Sequence, residues 1–378
     1  MKTNSQRHLR HIDTNCWNFI NRDKNLDSFN SLHIFHQNIR GLRSNSEELI
    51  LSFEMDNINP HIVCLSEHHM EEQELLHLTL SGYILGSSFS RKHLERGGVC
   101  IFVCKDLNVN KIDISHNCRE KDLEICAVEL ETEALKLIVL SVYRAPTGDF
   151  NQFLKKLDDT LKYLHKPKTE FLLCGDINID YLLESNRKKH LSSLLTTYNL
   201  SHTVDFATRM QNKSSTAIDN IFVDNNRLGL TKTSPLINGL SDHDAQLLTI
   251  NNIYAASKKV FSKQRTRKIN SETLTNFQSL LKQGTWQSVY QAQDANKMFN
   301  VFLNTFLRIF EASLPVNYRS TKEKKNNWIT QGIKISCKHK KSLYTLTKNS
   351  NDPTVKEHYI KYCRILKKSN KRSQKEIL

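Results

Sequence analysis

The sequence predicts an α+β domain, with sheets and helices in layers, followed by a basic and mainly helical extension. Three observations carry this. Short apolar runs suited to buried strands alternate with helix-periodic stretches across residues 31–251. Charge changes sign along the chain: residues 251–378 hold 26 Lys+Arg against 7 Asp+Glu, net +19, while residues 1–250 hold 28 against 32, net −4. The composition, 38% hydrophobic with 11 Gly and 6 Pro in 378 residues, excludes a wholly disordered or collagen-like chain.

The elements follow in order. Residues 1–30 are polar and aperiodic, a poorly ordered lead-in. Leu32-His33-Ile34-Phe35-His36 reads as a strand. Residues 45–56 read as a helix, with Glu47 and Glu48 in the first turn and Leu49, Ile50 and Phe53 on one face. Ile62-Val63-Cys64-Leu65 and Phe171-Leu172-Leu173-Cys174 are short runs of the kind buried on both faces of a sheet. Gly97-Gly98 turns the chain into the strand Val99–Val103, and residues 124–130 and 135–142 form a strand pair. Residues 150–164 place Phe150, Phe153, Leu154, Leu157, Leu161 and Leu164 at helical spacing. Residues 187–198 are helical, and 218–223 and 246–250 are strands.

Beyond Ile250 the character changes. Lys258, Lys259, Lys263, Arg265, Arg267 and Lys268 make a basic linker. Met298, Phe299, Phe302, Phe306, Ile309 and Phe310 form the stripe of an amphipathic helix stopped by Pro315. That stripe reads as packing rather than as a base-stacking surface. Residues 332–376 are Lys-rich and partly helical. A basic arm of this kind meets polyanions, nucleic acid above all, through counterion release; a solvated tail is the alternative. The expected division is a lead-in over 1–30, a folded domain over 31–252 and a basic, partly helical region over 253–378.

No apolar run approaches the ~20 residues that a membrane helix needs, and the first thirty residues show no secretory signal. The 9 Cys are irregularly spaced without CxxC pairs, which reads as reduced thiols rather than a zinc ribbon or a disulfide framework. A nuclear or cytoplasmic setting is expected, with no membrane partner.

Chemistry is expected where polar residues interrupt the apolar runs. Five such clusters occur: His36-Gln37-Asn38, Ser66-Glu67-His68, Tyr143-Arg144-Ala145-Pro146, Gly175-Asp176-Ile177-Asn178 and Ser241-Asp242-His243-Asp244. A carboxylate at a buried strand end is costly unless it meets a cation or donors. Glu67 with the Asn38 amide oxygen suits a hard divalent ion. The Tyr143 phenol is able to donate to a phosphate oxygen. Asp176 is placed to orient or deprotonate a water, and Asn178 to hold a phosphate oxygen. His243 beside carboxylates stays protonated near neutral pH and stabilises charge on a phosphorus transition state, with Asp219 as its orienting partner. Singly, each cluster is as readily a turn residue or a solvated carboxylate; together, in this order and at strand edges, they are specific.

The ordered set Gln37-Asn38, Glu67, Tyr143-Arg144, Gly175-Asp176-Ile177-Asn178, Ile218-Asp219 and Ser241-Asp242-His243 resembles the endonuclease/exonuclease/phosphatase superfamily over residues 31–252. Gly97-Gly98-Val99, Tyr143-Arg144-Ala145-Pro146 and Ser215-Thr216 resemble in particular the endonuclease domain of non-LTR, LINE-type (jockey-like) retrotransposons. Residues 294–315 and Trp328–Lys334 are similar to the linker that precedes reverse transcriptase in such elements; no polymerase metal motif follows.

The resemblance implies a four-layered α/β/β/α sandwich of the DNase I-like type. It implies Mg²⁺, with Mn²⁺ as an alternative, held by Glu67, Asn38 and Asp242. Asp176, His243, Asp219, Tyr143 and Asn178 would then be catalytic, and Asn178, Tyr143, Thr208 and Ser241 would face the substrate phosphate. Double-stranded DNA is the implied partner, nicked on one strand to prime reverse transcription, with element RNA meeting the basic C-terminal region. Ile177 stands where the family often has Phe, and Ala145 replaces a common Pro; neither removes a functional group. Two alternatives stay open: a phosphatase or phosphodiesterase of the same fold, against which no Trp-Cys-Asp-Arg run follows Asn178, and a catalytically silent nucleic-acid-binding relic, favoured by the basic tail.

Overall fold

Period-two alternation builds the centre of the molecule. In the computed structural model, which describes residues 28–131, 136–211, 214–256, 263–320, 328–350 and 352–375, alternate strand residues enter different layers. The lead-in at 1–27 and linker residues 257–262 fall outside the described residues. The described residues form two compact units: those within 1–259 together with those within 328–378, and those within 260–327.

In the first unit the elements run β1 (Ser28–Asn38), α1 (Ser46–Met55), β2 (Ile62–Ser66), α2 (Glu72–His77), β3 (Tyr83–Phe89), β4 (Val99–Cys104), β5 (Asn110–Ile112), β6 (Glu124–Glu131), β7 (Lys136–Tyr143), α3 (Phe150–Leu164), β8 (Thr169–Asp176), α4 (Asn186–Thr197), β9 (Leu200–His202), β10 (Arg209–Gln211), β11 (Ser214–Thr216), β12 (Asp219–Asp224), β13 (Thr231–Leu236) and β14 (Ala245–Ala256). One six-stranded sheet has the order β13-β14-β1-β2-β4-β3, and the other β5-β6-β7-β8-β12-β9; β10 and β11 form a separate ribbon. Both sheets are mixed, with β1–β2 and β7–β8 parallel and the other pairs antiparallel.

Leu32 and Ile34 of β1, Ile62 and Cys64 of β2, Leu137 and Val139 of β7 and Leu172 and Cys174 of β8 pack between the sheets. The residues between them point outward. Phe35, Val63 and Leu65 join Leu49, Ile50 and Phe53 of α1, while Ile138, Leu140, Phe171 and Leu173 join Phe153, Leu157 and Leu161 of α3 and Leu191 and Leu195 of α4. The result is the four-layered α/β/β/α, DNase I-like sandwich that the resemblance implied. α3 begins where the Asp149 carboxylate accepts the backbone N–H groups of Asn151 and Gln152, and its buried side chains follow the predicted stripe.

The first unit also contains α8 (Gln331–Asn349) and α9 (Pro353–Lys375), in chain order after the helices of the second unit. α8 is capped by Thr330, whose hydroxyl accepts from the Ile333 N–H, and α9 starts on a proline, which suits a first-turn position. The sequence reading groups all of 253–378 together, whereas the compact units place residues 328–378 with the sandwich.

The second unit holds α5 (Ser271–Gln283), α6 (Gln287–Tyr290) and α7 (Ala295–Ser313), with β15 (Lys263–Arg267) antiparallel to β16 (Val316–Ser320). Asn270 and Thr273 form a reciprocal capping box at α5. Phe302, Phe306 and Phe310 of the predicted stripe meet Trp286 and Phe277, so this part of the stripe packs internally. Phe299 is 60% exposed. Among the described residues no helix is long and apolar enough to cross a membrane.

Candidate active site

The alternation that fills the core with apolar groups also delivers the polar ones. Continuing each inward-facing series to the end of its strand gives Asn38 on β1, Tyr143 on β7 and Asp176 on β8. β12 runs antiparallel to β8, so its first residue, Asp219, pairs with Asp176, and Tyr143 pairs with Asp176 from the other side. Gly175 is required here: a Cβ on it would lie 1.9 Å from the Val142 carbonyl oxygen.

Asn38 joins the two sheets. Its amide nitrogen donates to Glu67 Oε1 and to Asp176 Oδ2, each at 2.8 Å. The amide oxygen accepts the Arg40 N–H at 3.2 Å, so the nitrogen rather than the oxygen faces Glu67. Glu67 follows β2 with φ of 53°, a left-handed conformation that non-glycine residues adopt at a cost of about 1 kcal/mol or more. Its other oxygen meets His69 Nε2 at 3.0 Å. Burial opposes the Glu67 charge, but hydrogen bonds from His69, Asn38 and Tyr143 outweigh it and hold the carboxyl at about 2. Burial, then the neighbouring Glu67 and Asp176 charges, drive the Tyr143 phenol far upward, so it remains a donor.

Across from this cluster, His243 Nδ1 lies 2.8 Å from Asp219 Oδ2. The Thr208 hydroxyl donates to the same oxygen at 2.7 Å and accepts the Asp219 N–H at 3.2 Å. Burial works against a charged imidazole, yet the Asp219 carboxylate raises His243 to about 9. Asp176 moves the other way from an ordinary carboxyl: burial first, then the negative charge of Asp219, push it up to about 7. Three buried groups, His243 and the carboxyls of Asp219 and Asp176, therefore influence one another's charge.

The structure spreads the remaining predicted residues. Asn178, with φ of 50°, gives its side-chain N–H to the Arg144 carbonyl oxygen at 2.7 Å, and its backbone N–H bonds Asp176 Oδ1 at 3.0 Å. Ser241 is committed to the backbone, donating to the Asn38 carbonyl oxygen of β1 at 2.6 Å and accepting the His243 N–H. Thr208 is fully buried on Asp219. Asp242 stands apart: Arg40 takes one of its oxygens at 2.8 Å and Arg209 the other at 2.9 Å.

Four residues of the site carry no role in the sequence reading. His69 supports Glu67, and the doubled histidine after Glu67 was the available signal. Arg144 is fully buried, and its guanidinium donates to the carbonyl oxygens of Ala145, Gly148, Ile177 and Asn178. Gln37 and Asn238 exchange amide hydrogen bonds at 2.9 and 2.8 Å, and Gln37 also donates to the His243 carbonyl oxygen.

Among the described residues, potential ligand atoms of Asp176, Asp219 and His243 lie within 4.8 Å of one another. His243 Nδ1 is taken up by Asp219 Oδ2 at 2.8 Å, so the hard ligand atoms this trio offers are carboxylate oxygens. Asp219 Oδ1 is buried without a hydrogen-bond partner. The Asn38 NH₂ group lies between the carboxylates of Glu67 and Asp176 and offsets their repulsion, as a cation there would. This oxygen-rich set fits a hard divalent ion.

Residues 15–243 match the model of the Endonuclease/Exonuclease/phosphatase family. The fold is similar to the endonuclease domain of TRAS1, a telomere-specific non-LTR retrotransposon (TM-score 0.48, 16% identity, 59% of this chain and 99% of that one). It is also similar to the AP endonuclease LMAP from Leishmania major (TM-score 0.47, 12% identity, 59% and 88%) and to an AP endonuclease from Archaeoglobus fulgidus (TM-score 0.44, 15% identity, 58% and 99%). No curated protein matches the chain. With the family model covering more than half of the residues, and with its site built at the strand ends of a two-sheet sandwich, the chain belongs to the endonuclease/exonuclease/phosphatase family.

Proposed function

We propose that this chain is a Mg²⁺-dependent DNA endonuclease, of the kind that nicks one strand of target DNA for a non-LTR retrotransposon. The observation that carries the reading is the meeting of five distant segments: Asn38 bridges Glu67 and Asp176, while the His243–Asp219 pair closes the other side at 2.8 Å. The site joins a proton acceptor near neutrality, a fixed positive charge and hard oxygen donors, as phosphodiester hydrolysis demands.

Glu67 and the carboxylate oxygens beside it would hold the ion, with Asn38 adjacent. When bound, such an ion supplies Lewis-acid stabilisation of phosphate charge. Asp176 takes the proton of the attacking water, since its raised pKa suits a general base at neutral pH. His243 presents its Nε2 proton to the phosphoryl oxygens, while Asp219 fixes the ring and its charge. Tyr143 and Asn178 orient the phosphate or the leaving oxygen. Asp242 joins this proposal as a support for the His243 loop through Arg40 and Arg209. Exposed lysines and arginines of the C-terminal helices add sequence-independent contacts to DNA, or to element RNA.

The test is conversion of supercoiled plasmid to nicked circle with Mg²⁺ or Mn²⁺. We expect nicking that EDTA abolishes and that Glu67→Ala and His243→Ala each reduce by at least about 10²-fold. Nicking that survives both substitutions, or none with either metal, overturns the reading. Salt-sensitive DNA binding without cleavage would select a silent binding module instead, and phosphate release from a soluble phosphomonoester with DNA untouched would select a phosphatase.

A further inference from the structure

The loop bearing His243 is held from two sides. From within the site, Gln37 and Asn238 pair, Ser241 reaches Asn38, and the Asp244 N–H donates to the Thr208 carbonyl oxygen at 2.7 Å. From outside, the α8–α9 hairpin grips the same loop. The Tyr344 hydroxyl donates to the Ser241 carbonyl oxygen at 2.9 Å, and the Tyr359 hydroxyl to that of Gly239 at 3.1 Å. Gly239 has φ of +66°, and a Cβ there would lie 3.2 Å from the Tyr344 ring, so the backbone approaches the two tyrosines closely.

Lys348 of α8 completes the grip. It pairs with Asp244, the residue after His243, and both side chains are only 7% exposed. A buried pair of this kind adds little net stability but fixes geometry, because breaking it strands a charge. Asp244 Oδ1 already lacks a hydrogen-bond partner, which leaves Lys348 as the group that compensates this carboxylate from outside the loop. The hairpin is itself anchored on α1, by Lys340 to Glu48 and by Lys341 to Asp56. Every hairpin residue in this set lies outside residues 15–243, the part that the family model matches.

We propose that Tyr344 and Lys348 are positioning residues for the nuclease: they set the 239–244 loop so that the His243 ring meets Asp219, which makes the α8–α9 hairpin a working part of the catalytic unit. This rests on the endonuclease reading above. The residues act through the loop and touch no substrate, so turnover should suffer while DNA affinity does not.

The experiment uses the full chain carrying Lys348→Met, Lys348→Arg or Tyr344→Phe. Plasmid nicking gives kcat and KM, and amide hydrogen exchange is followed over residues 239–244. Lys348→Met should lower kcat about tenfold or more with KM within about twofold, since small misplacements of reacting groups are costly. Lys348→Arg should restore most of the loss, and exchange over 239–244 should quicken in the Met variant and less so in Tyr344→Phe. Unchanged kcat and unchanged exchange in folded Lys348→Met overturn the proposal, as does an equal loss in the Met and Arg variants. Should Lys348→Met not fold, Tyr344→Phe, which keeps the ring and removes one hydrogen bond, decides by the same two readouts. If the wild-type chain does not nick, the endonuclease reading fails, and the exchange data still judge the grip on the loop.

Discussion

Replacing Arg144 should both loosen the site and destabilise the sandwich. The guanidinium is fully buried, with Phe153 and Phe150 rings about it, 5.9 and 6.0 Å from its centre. It donates to Ile177 and Asn178 at 2.9 Å, Gly148 at 3.1 Å and Ala145 at 3.3 Å. The Ala145 carbonyl oxygen keeps a second partner, the Gly148 N–H, so three carbonyl groups lose a charged donor in Arg144→Met. At about 1–2 kcal/mol for each, the loss is roughly 3–6 kcal/mol, a large part of a domain's stability. Arg144→Lys retains the charge but not the planar fork, and should recover about half. Urea unfolding followed by far-UV circular dichroism measures this. With m of about 3 kcal/mol/M, the midpoint of Arg144→Met should fall by more than about 1 M at unchanged m. Nicking should fall as well, because Ile177 and Asn178 follow Asp176 directly. A midpoint within about 0.2 M of wild type would refute the assignment of this arginine as the strut of the 175–178 loop.

Two further outcomes follow from buried groups. His61 is held neutral, since burial and then the stacked His33 lower it to about 3. Its folded pKa lies below the unfolded value, so its contribution is complete above pH 6.5 and is lost as pH falls; about 2 kcal/mol should be gone at pH 5. His61→Asn keeps an acceptor for the His33 N–H and should flatten the fall in melting temperature between pH 7 and 5; equal slopes in the two proteins would contradict this. Thr208→Val removes the hydroxyl on Asp219 and should cost about 1–3 kcal/mol with a drop in turnover of about tenfold, read by thermal melting and single-turnover nicking. No change in either would show that the Asp219–His243 pair orients itself without Thr208.

Burial decides which parts of this architecture are legible in the sequence. β2, β4, β7 and β8 are apolar on both faces, and helix α3 has one apolar stripe, so each announces itself. β3 and β13 do not. They are the outer strands of their sheet, mostly half-exposed, and β13 even contains Pro235, which an edge strand tolerates. The site divides in the same way. Asp176 and Asp219 interrupt or border apolar runs and are visible as anomalies. Arg144 is not visible, because its partners are backbone carbonyl oxygens brought close by the chain's path and not by any pattern of side chains. Asp242 enters the site only through the resemblance, because strand alternation does not reach into its loop, where its side chain pairs with Arg40 and Arg209.

The basic tail shows where composition misleads. Net charge counts Lys340, Lys341 and Lys348 with every other lysine after Ile250, as though all were available to a polyanion. Folding spends these three on Glu48, Asp56 and Asp244, acidic groups of the net-negative part of the chain. The opposite charges of the two segments thus have a structural use: they join α8 to α1 and to the His243 loop. Other cations stay on the surface: Lys356, Lys361, Arg364, Lys368 and Lys371 of α9 are exposed, with Glu357 as the acidic residue among them. Because α8 takes up three cations at the domain surface and α9 displays at least five, the same hairpin holds the His243 loop on one side and, on the function proposed above, would offer phosphate contacts on the other. Charge removed from α9 should therefore weaken binding and its salt dependence, whereas charge removed at Lys348 should slow turnover.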